Sequence, residues 1–199
     1  MRKGRLTHLS QTTPAGELVT VLNEDHAPVA KASVWFGGKR CGADDKGHIL
    51  LPFSEAGEVP LVLSDGSLAS LATVTLPREA YQFTAGVTLS AESLLAGSEA
   101  PLAIRPSLTM GDRLVPLSLI EEATLAITTM DLDGVESRTE TRDLVLNDDR
   151  ELVHRFRVPN RLQVVSLNLS GKIPSLTRPG EKIDVGTSWS RPVNGTDQA

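Results

Sequence analysis

The feature that most constrains the fold is an apolar/polar alternation of period two, clearest where Phe83, Ala85, Val87 and Leu89 alternate with Thr84, Gly86, Thr88 and Ser90. Successive side chains of an extended strand point to opposite faces, so this order buries one face and wets the other; on a helix the same residues would spread around the circumference. The pattern recurs. Ala32, Val34 and Phe36 fall on one face with Ser33 and Trp35 on the other; Ala123, Leu125, Ile127 and Thr129 share a face, as do Leu152, His154, Phe156 and Val158. Turn clusters interrupt these runs about every ten residues, the spacing of sandwiches and barrels. The expected class is all-β, built as antiparallel Greek-key sandwiches.

The turns carry their own chemistry. Asp65-Gly66-Ser67, between apolar runs at 59–64 and 68–76, signals a hairpin because Gly supplies positive φ and Asp a local acceptor. Asn23 to Pro28, Ala43-Asp44-Asp45-Lys46-Gly47 and Asp131-Leu132-Asp133-Gly134 read as turns, and Gly37-Gly38 as the end of a strand. Further strands are expected at about 100–105, 113–119, 122–130, 162–170 and 182–190, with one helical turn between Ser90 as cap and Gly97 as terminator.

With 199 residues the chain exceeds the usual single-domain size of about 100–150 residues, so two sandwiches in tandem are expected. The polar residues 1–16 read as a leader arm, 17–77 as the first sandwich, 83–190 as the second and 191–199 as a linker. The boundary falls between Pro77 and Gln82, since Pro77 closes a strand and has no ladder donor to give.

Composition excludes several classes. A net charge of −5 with scattered Lys and Arg argues against nucleic acid or anionic lipid as the main partner. Arg155 and Arg157, flanking Phe156, would share one solvated strand face. No run approaches the roughly 18 apolar residues of a membrane-spanning helix, so no membrane insertion is expected. The single cysteine, Cys41, allows no internal disulfide and is read as an incidental thiol. Met1-Arg2-Lys3 carries positive charge but no apolar run follows, so the sequence holds no targeting signal, and the expectation is either a cytoplasmic protein or an excerpt of a longer chain from which the signal is missing.

Glu17-Leu18-Val19-Thr20-Val21-Leu22, then Ala27-Pro28-Val29-Ala30-Lys31-Ala32-Ser33-Val34, then Ala43-Asp44-Asp45-Lys46-Gly47-His48-Ile49-Leu50-Leu51-Pro52, resembles the carboxypeptidase regulatory-like module over residues 17–77. That resemblance implies a transthyretin-like sandwich acting as a spacer or docking domain. Arg155-Phe156-Arg157-Val158-Pro159, followed by 162–170 and Gly171-Lys172, resembles the macroglobulin-type sandwich of bacterial alpha-2-macroglobulin-like surface proteins. Cys41 is followed by Gly42, Ala43 and Asp44, so the thioester motif of that family is missing, and with it protease trapping. Together the resemblances imply an excerpt of a larger extracellular, cell-surface or periplasmic protein.

Three kinds of chemistry have candidate residues. Asp131-x-Asp133-Gly134 begins like a calcium loop, but Arg142 stands where the twelfth-position Glu belongs; Asp44-Asp45 and Asn147-Asp148-Asp149 are alternative oxygen sources. His8, His26, His48 and His154 have no serine elbow or cysteine partner, and His154 reads as a core histidine. Trp35 is the one candidate for an exposed aromatic platform, for instance for carbohydrate, whereas Trp189 reads as core. The sequons at Asn168 and Asn194 carry little weight. No catalytic, cofactor-binding or metal set is assigned and no cofactor is implied. The expected function is a non-catalytic structural, spacer or protein-interaction segment, bound to a protein partner or to neighbouring domains of its own chain. The alternative is a ligand-binding module, for carbohydrate or calcium, accessory to an enzyme.

Overall fold

The computed structural model describes residues 4–111 and 113–193, and the alternating segments are strands. It divides into two units: one runs to Glu79 and takes in Leu176–Pro179, the other comprises Ala80–Ser175 and resumes at Gly180.

The first unit holds β1 (Thr7–Thr13), β2 (Gly16–Leu22), β3 (Ser33–Phe36), β4 (Lys39–Gly42), β5 (His48–Leu51), β6 (Gly57–Ser64) and β7 (Ala69–Leu76). Sheet A has the order β1-β2-β5 and sheet B the order β4-β3-β6-β7, so the chain changes sheet after β2, β4 and β5. Inward residues of sheet A, Val19, Val21, Ile49 and Leu51, share one core with Val34, Phe36, Leu61, Leu63, Val74 and Leu76 of sheet B. Each fully buried aliphatic side chain there contributes about 1.5–3 kcal/mol of burial.

Three loops close by the same device. Asn23 Oδ1 accepts the N–H groups of Asp25 and Ala27, Asp44 Oδ1 those of Lys46 and His48, and Asp65 Oδ1 those of Ser67 and Leu68. Asp65 thereby sets Ser64 opposite Ala69 and fixes the β6–β7 register, as its sequence signals.

Two polar strands depart from the expectation. The leader arm is not an arm from Thr7 onward: β1 pairs with β2 along its whole length. It lacks apolar alternation because it is an edge strand held by its backbone ladder; its inward Thr12 donates to the buried Glu17 carboxylate at 2.7 Å. Gly37-Gly38 ends β3 as expected, but as a hairpin turn, with φ of +54° and +76° at its two central positions, that returns the chain as the unexpected β4.

The second unit holds β8 (Tyr81–Leu89), β9 (Glu99–Met110), β10 (Arg113–Leu114), β11 (Glu121–Asp131), β12 (Glu136–Thr141), β13 (Leu152–Arg157), β14 (Leu162–Pro174) and β15 (Lys182–Pro192). In sheet C, β9 pairs with β8 on one edge and with β13 and β10 on the other; sheet D has the order β12-β11-β14-β15. Phe83, Leu102, Ile104, Leu108 and Phe156 of sheet C are buried, as are Leu125, Ile127, Val165, Leu167 and Leu169 of sheet D.

Here too the differences have local causes. The strand expected to stop before Pro106 runs through it. Val115 N–H donates to Leu108 O, so even-numbered residues of β9 turn their backbone groups to the β10/β13 edge. Pro106 falls in the gap between those two partners, where no N–H is needed. The strand expected at 113–119 is only β10, after which Leu117–Leu119 form a 3-10 turn whose Leu117 N–H is taken by Asp148 at 2.9 Å. The helical turn after Ser90 shrinks to a 3-10 turn at Ala91–Ser93 with no side-chain cap from Ser90. Arg191 and Pro192, assigned to the linker, complete β15 opposite Val165 and Val164; residues 194–199, with the second sequon, lie outside the described residues, as does Met1-Arg2-Lys3.

A bulge marks β11: Glu121 pairs with Lys172 and Thr124 with Ser170, so Glu122 and Ala123 together oppose the single residue Gly171, and Glu122 has φ of +54°. Gly171 of β14 passes beneath it. Lys172 and Lys182 reach the bulge carboxylates, Lys172 at 2.9 Å from Glu122 and Lys182 at 2.9 Å from Glu121. Lys182 also donates to Glu122 Oε1 at 2.5 Å, and this bond first, with that of Lys172, holds the Glu122 carboxyl at about 2 instead of 4.5, while Glu122 in turn raises the Lys182 ammonium.

Candidate interaction surface

In sheet B, strand parity decides which side chains face water. With Val34 and Phe36 of β3 inward, Trp35 points out; with Leu61 and Leu63 of β6 inward, Val62 points out; with Val74 and Leu76 of β7 inward, Leu71 points out. The register then aligns them. Arg40 lies opposite Trp35, Trp35 opposite Val62, and Val62 opposite Leu71. Directly opposed side chains in a sheet lie about 4.5–5.5 Å apart at Cβ, so the four form one row across the sheet.

The row is open: Trp35 is 49% exposed, Val62 37% and Leu71 77%. Pro60, opposite Thr73, extends it by one row on β6 and β7. Single exposed apolar residues are ordinary, but a contiguous apolar row on a sheet face marks a contact surface, and Trp with a neighbouring Arg is the composition of interface centres. At the β4 end the row closes on the exposed Arg40, whereas Lys39, also exposed, pairs with the inward Phe36 and so has the opposite parity. Arg40 and Lys31 also line an open groove of about 570 Å3 together with Ser33, Gly42, Asp44 and Asp45.

Trp35 is thus the sequence-predicted residue that the structure places in a surface of this kind. Arg40, Val62 and Leu71 join it. The others go elsewhere. Asp44 is spent on its turn, the His48 N–H being the main influence that lowers its carboxyl. Asp131 accepts the N–H groups of Asp133 and Val135, Asp133 pairs with Arg161 at 3.0 Å, and Asp148 holds Leu117. Asn147 bonds Val145 O and Arg150. Among the described residues no group of three or more His, Cys, Asp or Glu is arranged to hold a metal ion.

Cys41 is half-buried opposite Val34, and His154 is half-buried opposite Leu102, on the side of Phe156. Arg155 and Arg157 share the exposed face of β13. Trp189 is half-buried opposite core residue Leu167 on edge strand β15, less enclosed than the alternation implies, because β14 covers it on one side only. Asn168 is exposed on β14.

Residues 90–199, more than half of the chain, match the AbpF third immunoglobulin-like domain family. The whole chain is 27% identical over 209 aligned positions to "Actin-binding protein F" of Dictyostelium discoideum, and spans 9% of that protein's length. A crystal structure of a tetra-tandem repeat in the extending region of a large adhesion protein aligns with 93% of this chain and 49% of its own, at 14% identity and a TM-score of 0.30. With its strands paired antiparallel into sandwich sheets and the family matched from Ser90 onward, the chain belongs to the AbpF third immunoglobulin-like domain family.

Proposed function

We propose that this chain is a non-catalytic protein-interaction segment of a longer protein, with the outer face of sheet B as its contact surface and actin as the first partner to test. The observation that carries the reading is the row Arg40, Trp35, Val62 and Leu71. Support for a structural or interaction role comes from the immunoglobulin-like family, and support for actin from the name of the Dictyostelium relative. The resemblance of 17–77 to the carboxypeptidase regulatory-like module is in keeping with it, since that resemblance implies a spacer or docking domain.

The test is binding of the 199-residue chain to actin, as filaments by co-sedimentation and as monomer by fluorescence anisotropy, for the wild type and for Trp35→Ser/Leu71→Ser. Truncating two interface anchors costs about 1.4–2.8 kcal/mol, so the double variant binds about 10–100-fold more weakly. A wild type that ignores both forms of actin removes that partner; a double variant that binds as well as the wild type removes the surface. Subcellular fractionation adds an independent check, because actin is met in the cytosol. An exported chain moves the same face to an extracellular protein partner.

A further inference from the structure

We infer that the end of the second unit where β15 finishes carries a site for a small monoanion, in which Arg191 takes the carboxylate of an apolar acid, with Arg161 at its rim. The acid is either free or the end of a peptide chain. The site does not depend on the reading of the sheet B face.

Arg191 stands where strand parity calls for an apolar residue. On β15 it lies opposite the buried Val165, so its side chain starts on the core side of sheet D. It is half-buried, near the end of an edge strand that stops at Pro192. A cation drawn toward a core loses hydration, which a counter-ion or replacement hydrogen bonds must offset. Arg191 makes one such bond, from Nη1 to Leu89 O at 2.6 Å, whereas a guanidinium has five N–H donors. Among the described residues no carboxylate pairs with it.

Arg191 lines a groove of about 300 Å3, at the lower limit of ligand sites, which run from about 300 to 1,000 Å3. The buried Val158 and Leu162 and the half-buried Leu94 and Pro159 give it apolar walls, and Arg161 lines it too. No acidic residue is among its lining. Two flank it: Asp133 takes Arg161 Nη1 on both oxygens, at 3.0 and 3.1 Å, and Glu92, beside the lining Ala91, is exposed. Asp133 thus offsets Arg161, and Arg191 keeps an uncompensated charge. One net positive charge between apolar walls selects a singly charged anion on an apolar body, a carboxylate, over a phosphate dianion. Arg161 gives a second sign. Its φ of +56° is a left-handed conformation that glycine adopts at less cost, and such positions concentrate at ligand sites. Its side-chain bonds among the described residues all leave from Nη1, so Nη2 and Nε remain for a ligand.

The experiment is an amide chemical-shift titration of the isotope-labelled 199-residue chain with hexanoate, hexanamide, inorganic phosphate, and acetyl-alanyl-leucine with a free or an amidated C-terminus. The two acids shift the amides of Val158, Leu162 and Arg191 and bind about tenfold or more tighter than their amides, with phosphate weaker than either acid. The tighter of the two acids identifies the source, a free acid or a chain end. Arg191→Gln, which retains a donor for Leu89 O, abolishes the preference, and Arg191→Lys, which retains the charge, preserves it at lower affinity. Arg161→Gly relieves the left-handed position, so it weakens acid binding about threefold or more without lowering Tm, a split that a purely structural role would not give. Equal binding of acid and amide, a preference that survives Arg191→Gln, phosphate as tight as hexanoate, shifts centred elsewhere, or none with any probe overturns the inference.

Discussion

Replacing Gly171 with Ala adds a single methyl group in a place with no room for it. The new carbon would lie 2.3 Å from Ile120 Cγ2, 3.1 Å from the Glu121 carbonyl oxygen and 3.5 Å from Ala123 Cα. Carbon–carbon contacts are most favourable at about 3.5–4.0 Å, so more than an ångström of overlap must be relieved. Ile120 is buried and the Glu121 oxygen belongs to the bulge, so either a core side chain is displaced or β11 separates from β14. Overpacking costs about 1–3 kcal/mol and partial loss of the Ile120 burial adds to it, giving about 2–4 kcal/mol. For a unit of this size that lowers Tm by roughly 8–20 °C. Urea unfolding followed by Trp189 emission in a Trp35→Phe background reads the second unit by itself. In an Ile120→Ala background the closest contact is gone, and Gly171→Ala should cost at least about 1 kcal/mol less. A Gly171→Ala protein within about 0.5 kcal/mol of its parent, or an equal penalty in both backgrounds, refutes the close-approach argument.

Two further outcomes follow from side chains already placed. Asp65→Ala removes the acceptor for the Ser67 and Leu68 N–H groups and the Ser67 hydroxyl, and should lower the urea midpoint of the first unit, read at Trp35, with Asp65→Asn losing less. Glu122 is held at about 2 against 4.5, so its contribution is fully present above about pH 4.5 and is lost as pH falls through 2; the melting difference between wild type and Glu122→Gln should shrink over that interval, and a constant difference would contradict the pairing with Lys182 and Lys172.

How much of this was legible in the sequence follows from burial. Strands with one buried face carry their period openly, which is why β3, β8, β11 and β13 could be placed from Val34, Phe83, Leu125 and Phe156 alone. Strands held by their ladder carry none: β1 has Leu9 as its large apolar residue, 64% exposed, and β4 is Lys39-Arg40-Cys41-Gly42. Pro106 misled because a proline inside a run reads as a break unless the unpaired stretch of the neighbouring edge is known. The contact row was half visible. Trp35 stands out by parity, but Val62 lies in an apolar run on both faces, Val59 to Leu63, and only the register set by Asp65 shows that it meets Leu71. The oxygen-rich turns looked like metal loops for the same reason that they make turns, since a side-chain acceptor beside glycine serves either purpose.

The most direct test of the account is an amide chemical-shift titration of the isotope-labelled 199-residue chain with unlabelled actin. The perturbed amides should cluster on Trp35, Arg40, Val62 and Leu71 and their neighbours in sheet B, with the rest of the chain little changed. Perturbations centred on another face, or none at saturating actin, would contradict it.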